Sequence, residues 1–217
     1  MTEDMPQPPI DIPDGAALEE LASGLPMLRF ARDFSRALDQ LPWFSRLGEH
    51  LASDEREAAT GWLDGLGFPY AAVGQVQDFE DAAAIAEALA YDTPGFEAEE
   101  QLRASLTMEL IDLVGEEPVQ LAQTMITDGA GQATKDCAAE AAAMWDEVDQ
   151  ELLNAMSGAA IQAAHGEGLR RMIEITQDHL NIPVDEDLVI HPFRARFSLF
   201  GRGRWVIGLT GDTLSVF

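Results

Sequence analysis

Apolar positions recur at helical spacing over most of the chain and change to strict alternation only near its end. Leu18, Leu21 and Leu25 share one helical face, and Leu28, Phe34, Leu38 and Leu41 another. Pro26 and Pro42 each suit the first turn of a new helix, where the missing N–H is not needed. The pattern therefore predicts two short helices and a third carrying Trp43, Phe44, Leu47 and Leu51. A fourth starts near Ser53 and holds Trp62, Leu63 and Leu66. Gly65, Gly67 and Pro69 break this run, and residues 67–77 read as a loop. Asp78 is placed to cap a helix reaching about Ala90, followed by an Asp92-Thr93-Pro94-Gly95 turn. Residues 96–115 present Leu102, Leu106, Leu110 and Leu113 on one face. A short helix from Pro118 holds Leu121, Met125 and Ile126, and Gly129 and Gly131 are expected to end it.

The longest helical stretch is 134–181. Met144, Trp145, Val148, Leu152 and Met156 form one stripe; Ile161, Leu169, Met172, Ile173, Thr176 and Leu180 form a second, turned by roughly 100° from the first. The phase changes beside Ser157-Gly158, which predicts a kink or break there. After Pro183 the period becomes two. Phe193, Ala195, Phe197 and Leu199 alternate with Arg194, Arg196 and Ser198; Trp205, Ile207 and Leu209 alternate with Arg204 and Val206. Gly211-Asp212 is a tight-turn pair before the last strand. The expected fold class is α+β. A predominantly helical body of about eight helices, residues 14–182, packs against a small C-terminal antiparallel β-meander, residues 183–217, within one domain. Residues 1–13, with four prolines among acids, are expected to be a disordered tail.

Charge changes this picture more than composition does. The 217 residues hold 39 acids against 13 Lys plus Arg, a net charge of −26. Such a surface repels nucleic acid and anionic lipid; it first of all serves solubility or adaptation to a salty interior, and in a sharper reading it attracts a basic partner, though charge alone names none. The excess is uneven: residues 1–190 carry −29, whereas residues 191–217 carry +3, with Asp212 their one acid. No run of about 18 apolar residues suggests a membrane span, and the acidic N-terminus is unlike a secretory signal. Cys137 is the single cysteine, so no internal disulfide can form. These features favour a cytoplasmic protein.

Chemistry-bearing clusters are few. Arg194, Arg196 and Arg204 are expected on one side of a hairpin, with Arg202 in its turn. Guanidiniums so placed suit carboxylates or phosphates, in an anionic ligand or a partner. Alternatively they pair with the protein's own acidic helices, within one chain or across a dimer. None of the four histidines has a glutamate three residues before it, and zinc, EF-hand and cysteine-pair motifs are absent. No metal and no cofactor is expected. The Gly129–Lys135 segment lacks phosphate-loop spacing. Asp185, Asp187 and His191 lie close to Arg194 in sequence, and an enzyme reading would place an acid, a base and an anion clamp there.

The expected function is that of a non-catalytic binding or adaptor protein. It engages a protein partner, or a second copy of itself in a homo-oligomer, through charge and an apolar groove. The alternative is an enzyme built on residues 185–204.

Overall fold

The computed structural model describes residues 23–89, 94–143 and 150–217. The expected tail 1–13, the Asp14 cap, the Leu18/Leu21 stripe, the first half of the 92–95 turn, and Met144, Trp145 and Val148 lie outside these residues.

Seven α-helices are described: α1 Pro26–Ala37, α2 Ser53–Gly65, α3 Phe79–Ala88, α4 Pro94–Val114, α5 Glu116–Ala143, α6 Gln150–His179 and α7 Pro192–Phe200. Three short strands, β1 Ala72–Gln75, β2 Val206–Thr210 and β3 Thr213–Val216, form one sheet in the order β1-β3-β2. Several local signals act as expected. Pro26 occupies the first turn of α1, Asp78 Oδ1 accepts the Asp81 N–H at 2.9 Å to cap α3, and Gly211 takes a positive φ in the β2–β3 turn.

The sheet is mixed, not an antiparallel meander. β2 and β3 pair antiparallel, with a bulge near Gly208, but β3 also pairs parallel with β1, Ala72 opposite Thr213 and Gln75 opposite Val216. β1 falls in the segment expected to be a loop. It is four residues long and only half-buried, which is too little alternation to register as a strand.

The expected strand 193–199 is helix α7. Pro192 sits at its start, and the Nδ1 of His191 accepts the Phe193 N–H at 3.2 Å. Phe193, Arg196, Leu199 and Phe200 point inward at helical spacing. The alternating pattern arose from treating Arg196 as a surface residue; once it counts as a core position, the period is that of a helix.

The expected third helix does not form either. Residues 43–48 are a series of turns, with Phe44 at φ 57° and Gly48 at φ 75°. A Cβ on Gly48 would stand 2.7 Å from the carbonyl of Gln77, so the close approach requires glycine. Trp43 still reaches the core and donates its indole N–H to the Leu38 carbonyl at 2.8 Å.

Two expected helix breaks are absent. α5 runs through Gly129 and Gly131; a Cβ on Gly129 would meet Ser35 Oγ at 2.0 Å, so this glycine lets α1 and α5 touch. α6 is continuous through Ser157-Gly158. Its stripe changes phase because its neighbours change. The C-terminal half is covered on several sides by α1, α5 and α7, and even Gly166 and Gly168 are buried, the first against the Phe193 ring and the second against Ile126. The core is one continuous cluster running from Met27 to Phe217. Each fully buried Phe in it contributes roughly 1.5–3 kcal/mol of transfer free energy.

Candidate functional site

The four arginines do not share one face. Arg204 is completely buried. Its five N–H groups meet five acceptors: the two oxygens of Glu55, at 3.2 and 2.9 Å, and the carbonyls of Arg46, Glu49 and His50. The Arg46 carbonyl lies in the 43–48 turns and those of Glu49 and His50 follow directly, so the guanidinium supplies the donors a helix there would have supplied. Glu55 lies in the first turn of α2 and also accepts the Ala52 N–H at 2.9 Å and Arg46 Nη1 at 2.8 Å. Burial pushes its carboxyl up. The Arg204 hydrogen bond, the Ala52 N–H and the charges of Arg204 and Arg46 outweigh that and leave it below the ordinary carboxylate range.

Arg196 faces inward from α7 and donates Nη1 to both oxygens of Glu99 on α4, at 2.8 and 2.7 Å; both residues are 5% exposed. The Trp62 indole of α2 donates to the same Glu99 oxygen at 3.0 Å. Arg202 pairs with Asp54 at 2.7 Å on the surface, and exposed Arg194 donates to the Val189 carbonyl at 2.9 Å. The guanidiniums thus meet internal acceptors, two of them in the core.

Asp185, Asp187 and His191 do not converge with Arg194 on a cleft. Asp185 Oδ1 caps the short 3-10 turn Glu186–Leu188 by accepting the Asp187 N–H at 3.0 Å. The imidazole of His191 is committed to the Phe193 N–H, and burial, helped by the charge of Arg170 and opposed by Asp187, lowers its pKa to about 4. His165, half-buried on α6, is also lowered to about 4, by burial and then by Arg103. Burial and the neighbouring Glu140 and Asp136 push the Cys137 thiol up, which suits packing and not nucleophilic attack. Among the described residues no three His, Cys, Asp or Glu side chains form a metal-sized group, and no helix is long and apolar enough to cross a membrane.

Two features remain with no structural task that explains them. The first is the connection from α6 to α7. Between Asp178 and Ile190 every residue except Leu188 is exposed. The segment displays Leu180, Ile182, Val184, Val189 and Ile190, the last 77% exposed, beside Asp178, Asp185, Glu186 and Asp187. It contains no Lys or Arg.

The second is a cavity of about 360 Å³ enclosed by α2, α3, α4, α6, α7 and β2. Trp62, Phe96, Leu89, Ile207 and Leu209 supply apolar wall, and the Glu99–Arg196 pair supplies a polar one. Glu151, Asn154 and Ala155, which are exposed on the first turns of α6, bring it to the surface. Two buried donors on its lining residues, Arg196 Nε and the Trp205 indole N–H, have no protein acceptor.

Sequence reasoning placed Arg196 and Arg204 among candidate residues but missed Glu55, Glu99, Trp62 and Trp205 as their setting. Glu99 carried a signal, because it continues the Leu102/Leu106/Leu110 face of α4 into a position otherwise apolar. The exposed apolar run carried none, since exposure is set by tertiary packing. No protein-family model matches the chain, nor does any curated protein or solved structure compared with it.

Proposed function

We propose that this is a non-catalytic binding protein that docks a basic, amphipathic segment of a protein partner on the 178–190 connection. The observation that carries this reading is five exposed large apolar residues within eleven positions that also hold Asp185, Glu186 and Asp187 and no Lys or Arg. Exposed apolar residues concentrated in one connection suit an interaction surface. The acids select the occupant. A second copy of this chain would bring Asp185, Glu186 and Asp187 against their own kind, whereas a partner with lysines or arginines flanking apolar anchors satisfies both features. Self-association through an arginine face loses its basis, because Arg196 and Arg204 are closed inside with Glu99 and Glu55. The enzyme reading is the weaker one: its acids serve a turn, its histidine caps a helix, and neither lines the cavity.

The test is site-specific photo-crosslinking in the native host. A photoreactive phenylalanine at position 190 is compared with one at Tyr70, which is 97% exposed elsewhere on the chain. The expected result is a discrete adduct from position 190 only, to a protein with a basic segment, lost when Asp185, Glu186 and Asp187 are changed to lysine. Equal labelling from both positions, an adduct with a second copy, or no adduct from position 190 overturns the reading.

A further inference from the structure

We propose that Arg194 is the specificity-determining residue of the 178–190 docking surface, and that it pairs with an aspartate or glutamate flanking the apolar anchors of the partner's segment. This role rests on the docking proposed for that surface and adds a requirement to it: an otherwise basic occupant carries a carboxylate on one flank.

The fold brings a base to a surface that has none of its own. Residues 178–190 contain no Lys or Arg. Arg194 reaches back to them from the first turn of α7, where its Nη1 donates to the Val189 carbonyl at 2.9 Å. The guanidinium is thereby held at the peptide joining Val189 to Ile190. These two are the most exposed of the five apolar residues, at 52% and 77%.

A tether accounts for only part of this contact. Arg170 grips the preceding carbonyl, that of Leu188, at 2.8 Å, but Arg170 is buried and its charge is matched by Glu167 at 2.8 Å and Glu174 at 3.3 Å. Arg194 is exposed, and among the described residues no carboxylate pairs with it. A carbonyl is satisfied by one donor, and a neutral donor serves. The charge of Arg194 and its remaining N–H groups are left for another molecule. The charge does not serve α7 either: the first turn of that helix holds no acid, and a base there opposes the helix dipole.

The chemistry of the counterpart follows. A guanidinium fork suits a carboxylate or a phosphate. Asp185, Glu186 and Asp187 belong to the same connection and repel a doubly charged phosphate more than a singly charged carboxylate. The surface is thus divided by charge, with acids before Val189 and a base returning to it. A segment fits in one direction, its bases towards 185–187 and its carboxylate towards Arg194. Reversed, it brings like charges together.

The test reads photo-crosslinking in the native host from position 190 and, to exclude a change local to that residue, from position 184. The chains compared carry Arg194→Glu, Arg194→Gln or Arg194→Lys. Attraction by net charge alone predicts a higher yield for Arg194→Glu, because an acid is added opposite a basic partner. The proposed pair predicts the reverse. Yields from both positions should fall about threefold in Arg194→Gln and about fivefold in Arg194→Glu, and be largely kept in Arg194→Lys, as expected of an ion pair at the rim of an interface. Mass spectrometry of the digested adduct should place an Asp or Glu on one flank of the crosslinked residue. Changing that acid to Lys in the partner should restore the yield of the Arg194→Glu chain. Full yield in Arg194→Gln, an unchanged or raised yield in Arg194→Glu, or a loss that no acid reversal in the mapped segment restores overturns the pair and leaves the docking surface standing. Absence of any adduct from position 190 in the parent chain overturns the docking itself, and the pair with it.

Discussion

At the scale of single residues, a buried ion pair and two histidines all make stability fall on acidification, each in its own pH window. Arg204 and Glu55 are both hidden, and each is the other's only compensation of charge in the core apart from Arg46. Arg204→Met strands Glu55 and three backbone carbonyls, and should lower the unfolding free energy by about 3–5 kcal/mol. Arg204→Met combined with Glu55→Met removes both charges, and urea denaturation should show it less damaged than the sum of the single variants. Plain additivity would mean that the two groups do not depend on each other. Because the Glu55 carboxyl is held low, its contribution is complete above the ordinary carboxylate pKa of about 4.3 and is lost as pH falls through the lower folded value. The histidines act in a higher window. His165 and His191 are lowered to about 4, so the unfolded chain takes up protons before the folded one does. Stability is complete above about pH 6.5 and declines as pH falls towards 4, by at most about 3 kcal/mol for each group. Protonation of His191 also removes the Nδ1 acceptor that caps α7. His191→Asn retains an acceptor that does not titrate, so it should flatten the decline measured by urea midpoints between pH 7 and 4.5. An unchanged slope would assign the decline to other groups.

At the scale of elements, glycine is a contact residue in this fold more often than a breaker. Gly129→Ala gains roughly 1 kcal/mol of helix propensity but drives a methyl group into Ser35, whose Oγ would stand 2.0 Å from the added Cβ. The net should be a loss of about 1–3 kcal/mol, visible as a lower thermal midpoint, and Ser35→Gly in the same chain should restore most of it. If Gly129→Ala proves stabilising, α1 does not sit this close to α5. The same distinction explains what the sequence made legible. Elements whose signals are local were readable: Pro26 at a helix start, the Asp78 cap, the Leu102/Leu106/Leu110 stripe, the Gly211-Asp212 turn. Elements decided by a distant partner were not. α7 reads as a strand until Arg196 is known to meet Glu99, ninety-seven positions away. The 43–50 segment reads as helix until Arg204 is known to satisfy the carbonyls of Arg46, Glu49 and His50. β1 is stabilised by β3, from the far end of the chain. For the same reason the arginines stood out as charges in sequence, whereas the acids that neutralise them were lost among 39.

At the scale of the whole molecule, the buried pairs sharpen the surface charge. Arg170, Arg196 and Arg204 are internal and matched by Glu167, Glu99 and Glu55, leaving 36 acids against 10 bases for the rest of the chain. Self-repulsion among those acids opposes the compact state, and salt screens it, with a Debye length of about 10 Å at 0.1 M falling to about 3 Å at 1 M. The internal pairs are shielded from that screening by burial. Raising sodium chloride from about 20 mM to about 300 mM should therefore raise the thermal midpoint by several degrees, a gain on the order of 1–2 kcal/mol. Sodium sulfate at equal ionic strength should do little more, unless exclusion from the surface and not screening is responsible. The same acids that destabilise the fold attract the proposed basic partner, so salt should act on docking with the opposite sign, lowering the crosslink yield at position 190 across the same range. A fold strengthened and a complex weakened by one titration identifies a single cause, the exposed acidic surface. If crosslinking at position 190 is indifferent to salt, the apolar run alone holds the partner, and the acids around it serve only to keep that run from meeting another copy of itself.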